Sequence, residues 1–196
     1  MTLGLRERKK QATRAALASA ALRLAAERGP DAVTVHDIAA EADVSPRTFF
    51  NHFATKEEAF VADDLERAEA FLARFAAEPD DAPLWTTLVR LLGDHLEGFA
   101  AAGRDQALAQ HAVRTSPAVL VQQFRQYAGL EADLLRELAR RTGQEPSTLQ
   151  PRLLAATAMA AMRAALETWL EGSDDPSPRR LFEDAAGQLS HAFPHT

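Results

Sequence analysis

Residues 33–56 read VTVHDIAAEADVSPRTFFNHFATK, and the fold is decided by how this stretch is read. Thr34 is a good N-cap with Asp37 three residues on, so a short helix is expected from Val35, with Ile38, Ala39 and Ala42 on its apolar side. Asp43 and Val44 then form a turn, Val44 facing inward. Ser45 caps a second helix whose first residue is Pro46, where a missing N–H does no harm; the helix is expected to run to Phe53. Thr55 and Glu58 make a further capping pair that opens a much longer helix. Three helix starts within about twenty residues suit short helices crossing steeply, as in a helix-turn-helix.

The second helix divides its residues between two tasks. Phe49 and Phe53, with Ile38, Val44 and Phe60, are expected in the core, since large apolar side chains are mostly buried. Ser45, Pro46, Arg47, Thr48, Asn51 and His52 fall on the polar side. Arg47 and Asn51 stand one helical turn apart and can face one groove, where arginine pairs with guanine and asparagine with adenine. The plain alternative for Arg47 is a solvated surface charge.

With these residues in place, the stretch resembles the N-terminal signature of the TetR family of transcriptional regulators. The matching positions are Thr34-Val35, Ile38-Ala39, Ala42, Val44-Ser45, Thr48, His52-Phe53 and Lys56-Glu57. Two positions depart from it. Asp43 stands where a turn glycine is usual, and Asp visits the left-handed region more readily than most residues. Phe50 replaces a tyrosine whose hydroxyl touches a DNA phosphate in the family, so that contact is not carried over. The resemblance implies phosphate contacts at Thr48, His52 and Lys56, although for Lys56 an ordinary surface lysine is the alternative. Candidate DNA-contacting residues are therefore Lys9, Lys10, Thr34, Ser45, Pro46, Arg47, Thr48, Asn51, His52 and Lys56.

The charge distribution supports such a head. The 196-residue chain has a net charge of −6, but residues 1–60 hold nine Lys and Arg against eight Asp and Glu, a net of +1. The remaining 13 against 20 give −7. Residues 1–14 carry Arg6, Arg8, Lys9, Lys10 and Arg14 against Glu7 alone, so Lys9, Lys10 and Arg14 can lie along a phosphate backbone. There is no cysteine, hence no disulfide or thiolate metal site, and with neither a secretory signal nor a membrane span the expected location is cytoplasmic.

Along the rest of the chain, helical periodicity and breaks predict an all-α protein of about nine helices, with no strand pattern. Residues 1–53 are expected to form the DNA-binding head and residues 54–196 an effector-binding and dimerisation body. A first helix runs from Leu5 to Arg28 and ends at Gly29-Pro30; a long helix runs from Lys56 to Ala77. Body helices follow at about Leu84 to Ala102, Asp105 to Arg114, Ser116 to Arg141, Ser147 to Glu171, with Gln150 completing a capping box, and Arg179 to Phe193. From Leu153 to Leu166 the chain is apolar nearly all round with Arg163 its only charge, so burial on several sides is expected.

The resemblance implies that the last two helices form a homodimer interface and that the body holds a small-molecule pocket whose occupancy releases a palindromic operator on double-stranded DNA. The candidate pocket residues are Trp85, Leu88, Leu92, His95, His111, Phe124, Tyr127, Met159, Met162 and Arg163, with plain core as the alternative for most. A lone Arg163 in an apolar span needs an acid from the chain or an anionic ligand. Residues 110–138 also resemble the subgroup of the mycofactocin regulator, which implies an apolar or acyl-CoA-like anion as ligand. No glycine-rich phosphate loop, G-x-S-x-G or cysteine nucleophile occurs, and only His191 and His195 share a helical turn, beside Pro194. Neither catalysis, nor a cofactor, nor a metal is expected. The competing readings are a helical ligand-binding protein that has lost DNA recognition, and a helical enzyme.

Overall fold

The leucines and alanines of the first helix set its inward side: Leu17, Ala21 and Leu24 are all buried in α1 (Leu5–Arg28). Gly29, at φ 84°, ends the helix by a conformation that L side chains rarely adopt, and its N–H bonds to the Ala25 carbonyl at 2.9 Å. A short 3-10 helix, Pro30–Ala32, leads to α2 (Val35–Glu41) and α3 (Pro46–Phe50). The computed structural model describes the backbone of residues 4–101, 103–172 and 177–189, without the side chains of residues 123–128 and 130. Within those residues there are nine α-helices and no strand: after α3 come α4 (Lys56–Ala77), α5 (Leu84–Ala100), α6 (Arg104–Arg114), α7 (Pro117–Thr142), α8 (Leu149–Leu170) and α9 (Pro178–Leu189).

The chain gathers into two compact units. Among the described residues, one contains those up to Glu66 together with Leu108–Tyr127; the other contains those of Arg67–Ala107 and those from Ala128 on. In the first, Leu17, Leu24, Ile38, Phe49, Phe53 and Phe60 share a core with Val113 of α6 and Val119 of α7. The buried Arg114 guanidinium faces Asp64 of α4 at 3.9 Å within the same unit. In the second, α5, α8 and α9 pack on one another, with Leu88, Leu96, Leu154 and Phe182 at the centre. Arg141 of α7 donates to the Phe75 and Glu78 carbonyls at 2.5 and 2.9 Å and lies over the Phe75 ring, satisfying acceptors that the end of α4 leaves open.

The capping expectations are met at α2 and α3 and changed at α4 and α8. Thr34 accepts from the Asp37 N–H while the Asp37 carboxylate accepts from the Thr34 hydroxyl and N–H, and these two bonds to the carboxylate, the hydroxyl's first, hold the Asp37 carboxyl below its ordinary range. At α4 the Glu58 N–H bonds to Thr55 as expected, but the Glu58 carboxylate reaches back one residue further, to the Ala54 N–H at 2.7 Å. At α8 the expected Ser147–Gln150 box does not form. Thr148 is the N-cap, and Gln150 bonds instead to the side chain of Gln144, so the helix opens at Leu149. The second helix of the head stops at Phe50, short of the expected Phe53, and Asn51 is its C-cap.

Burial of α8 also differs from expectation. Leu154, Ala155, Ala158, Ala161 and Ala165 are buried, whereas Leu149, Leu153, Met159 and Arg163 are exposed, so one side alone is covered.

Asp43 carries the turn between α2 and α3 at φ 54°. Its N–H bonds to the Ala40 carbonyl at 3.2 Å and that of Val44 to the Ala39 carbonyl at 2.9 Å, the paired bonds of a Schellman end. Asp43→Gly should therefore leave stability unchanged or raise it, while Asp43→Val should lower it by about 1–2 kcal/mol because a β-branched residue is strained there. Urea unfolding of both variants measures this; equal losses in both would show that the backbone conformation is not the constraint.

Candidate nucleic-acid interface

The buried side of α3 decides what its other side presents. The Phe49 ring is fully buried, against Phe53 at 5.6 Å and edge-on to Phe50 at 5.5 Å. Ser45 accepts from the Thr48 N–H at 3.1 Å and its hydroxyl also meets that of Thr48, so both are engaged at the start of the helix. With Phe49 inward, Arg47, Phe50 and Asn51 are exposed and Pro46, Thr48 and His52 half-buried.

The first helix supplies the neighbouring charge. Arg6, Glu7 and Lys10 of α1 line an open depression of about 570 Å³ with Asn51 and His52. Three of the expected contact residues, Lys10, Asn51 and His52, are thus brought together, and Arg6 joins them. Lys9 is exposed elsewhere on α1, and Thr34 is exposed at the cap of α2. Partial burial, then the charges of Arg14 and Lys10, hold the His52 imidazole below its ordinary value, favouring the neutral form.

Lys56 is engaged within the chain. Its ammonium donates to the carbonyls of Pro30 and Val33, both at 2.9 Å, and of Asp31 at 3.4 Å, tying the start of α4 to the connection before α2. All three of its N–H donors have acceptors within the chain.

Arg14 is the residue whose position the basic run concealed. Grouped by sequence with Lys9 and Lys10, it turns inward instead, its side chain 29% exposed. It donates to the His52 carbonyl at 2.6 Å, lies 4.2 Å from the centre of the Phe53 ring, and meets Glu66 of α4 at 3.4 Å. One guanidinium therefore ties together α1, the segment after α3, and α4. The clue in the sequence was that Arg14 sits one turn before buried Leu17 and Ala18, where a long side chain can reach the core edge.

The expected effector residues divide between the two units. Trp85, Leu88 and Leu92 belong to the packed core of the second unit, with the Trp85 N–H on the Ala186 carbonyl at 3.3 Å. His95 is half-buried, and Met162 packs at the edge of that core. Met159 is 41% exposed, and Arg163, expected to be buried, stands on the outward side of α8 because the inward positions are taken by alanines and Leu154. His111 belongs to the first unit. The side chains of Phe124 and Tyr127, like His191 and His195, lie outside the described residues. Among the described residues no group of three or more His, Cys, Asp or Glu could hold a metal, and no helix is long and apolar enough to cross a membrane.

Arg14→Met, which keeps much of the bulk and removes the charged donor, should cost about 1.5–3 kcal/mol of stability, with Arg14→Lys recovering little of it. Thermal or urea unfolding of the two variants decides this, and full rescue by lysine would show that charge alone suffices.

Residues 17–62 match the profile described as bacterial regulatory proteins, tetR family, and residues 112–194 that of the MftR C-terminal domain. Over 180 residues the chain is 33% identical to the HTH-type transcriptional regulator TcmR of Streptomyces glaucescens, covering 87% of this chain and 79% of TcmR. The fatty acid degradation regulator FadR of Bacillus halodurans has the same fold, with a TM-score of 0.68 at 18% identity over 100% of both chains. A TetR-family transcriptional regulator from Streptomyces coelicolor gives 0.55 at 19% identity, covering 93% of this chain and 85% of that one. A helix-turn-helix head that matches by profile, a relative alike over most of its length, and an all-α fold shared with solved regulators place this chain in the TetR family of DNA-binding transcriptional regulators.

Proposed function

We propose that the protein is a repressor that binds a palindromic operator as a homodimer and leaves it when a small molecule occupies the body. The observation that carries this reading is the pairing of exposed Arg47 and Asn51 on α3 with the depression holding Lys10, Arg6 and His52 beside it. In this reading Arg47 and Asn51 meet base edges, while Lys9, Lys10, Thr34, Ser45, Pro46, Thr48 and His52 sit against the sugar-phosphate backbone. The head extends from the N-terminus to about residue 53, and the rest serves effector binding and dimerisation. The protein works in the cytoplasm, where its DNA is, and without catalysis.

The outward side of α8 supports the dimer. Leu149, Leu153 and Met159 are exposed there beside Ala156, Ala160 and Ala164, small residues over which another helix can approach closely. Arg163 on that side suits an ion pair across the dimer better than an effector contact. The effector class in this reading is the apolar or acyl-CoA-like anion that the resemblance to the mycofactocin-regulator subgroup implies, and residues 112–194 match the MftR C-terminal domain. Helices α4 and α7 each have residues in both compact units, so a ligand that prefers one arrangement of these helices can bias the head with a coupling of about 1–3 kcal/mol.

Titration with promoter-proximal DNA at two salt concentrations tests the reading. Affinity should exceed that for scrambled DNA and fall steeply with salt, and Arg47→Ala should lose about 1–3 kcal/mol of discrimination at one base pair of each half-site. Equal weak binding to every duplex, unchanged in Arg47→Ala, would favour a ligand-binding protein without DNA recognition.

His52 adds a pH dependence. Its imidazole is held neutral by burial, Arg14 and Lys10, with Glu7 and Arg6 on the same depression. A DNA phosphate favours the charged form, so binding takes up a proton and affinity should rise as pH falls from about 8 to about 6. His52→Gln should flatten that slope; a slope that survives the substitution would assign the proton to another group.

A further inference from the structure

Phe50 is the one described phenylalanine side chain that faces solvent. Phe49, Phe53, Phe60, Phe71, Phe75, Phe99 and Phe182 are buried, whereas Phe50 is 59% exposed. Its ring stands edge-on to buried Phe49, with the ring planes at 88°. It follows Arg47 by three residues and adjoins Asn51, and all three are exposed. A spacing of three and four residues puts them on one side of a helical turn.

A phenyl ring has no hydrogen-bond donor or acceptor, so it cannot bind a phosphate oxygen. On a surface that enters the major groove, the base-edge group it complements is the 5-methyl of thymine, the apolar feature of the groove's pattern. We propose that Phe50 is a specificity-determining residue that packs on a thymine 5-methyl in each half-site, beside the base pairs met by Arg47 and Asn51. The inference rests on the DNA-reading role proposed for α3. It gives the chain a preference for A·T at a position that neither Arg47 nor Asn51 sets.

The test uses an operator recovered by selection of the full-length protein on random duplexes. Each thymine is replaced in turn by deoxyuridine, which removes the methyl group and keeps every base-pairing group. One thymine per half-site should be sensitive, each replacement weakening wild-type binding about fourfold, the value of one buried methyl group. Phe50→Ala should bind the thymine and deoxyuridine operators equally, and Phe50→Tyr, which keeps the ring, should retain the difference. If Phe50 only supported the helix or touched sugar, Phe50→Ala would weaken both duplexes alike and no thymine would depend on the ring. Either no sensitive thymine, or one whose sensitivity persists in Phe50→Ala, overturns the proposal while leaving DNA reading intact. Failure to enrich any sequence would remove the DNA reading, and this inference with it.

Discussion

Helix α3 has five residues, too few to hold a helical conformation in water by hydrogen bonding alone. It exists because Phe49 is buried among Ile38, Phe53 and Phe60 while Ser45 and Pro46 fix its start. That burial also sets the direction of everything else on the helix. With Phe49 inward, Arg47, Phe50 and Asn51 are turned outward. The turn before it supports the same constraint, since the Asp43 conformation and the Val44 bond to Ala39 determine the angle at which α3 leaves α2.

Arg14 extends this fixing to the neighbouring helices. A charged donor on the His52 carbonyl, stacked on Phe53 and close to Glu66, connects the segment after α3 with α1 and α4. Of these contacts the carbonyl bond matters most, because Glu66 is half in solvent, where an ion pair contributes little. The same unit contains the end of α6 and the start of α7, whose Val113 and Val119 lie in its core and whose Arg114 faces Asp64. The compact unit that holds α3 therefore draws on residues from the middle of the chain as well as from its first third.

Much of this was legible in the residues. The caps at Thr34 and Ser45, the left-handed turn at Asp43 and the bounds of α1 and α4 follow from local chemistry that operates within four residues of chain. What was not legible depends on partners distant in sequence. Lys56 was expected at a phosphate, with a surface lysine as the alternative, but the carbonyls that hold it come from residues 30–33. Arg14 looked like part of a basic run, and its acceptor lies 38 residues away. Arg163 looked buried because its neighbours are apolar, yet alanine is small enough to sit on either side of a helix, and α8 turns several of its alanines outward. The end of α3 was overestimated because Asn51 is compatible with a helix and with a cap.

The most direct test is a crystal structure of the protein on its selected operator. The expected result is a two-fold dimer with α3 of each protomer in the major groove, the two helices about 34–36 Å apart, and Arg47, Phe50 and Asn51 at base edges. DNA bound through another surface, or α3 facing solvent in the complex, would contradict the central claim that the burial of Phe49 orients a reading helix.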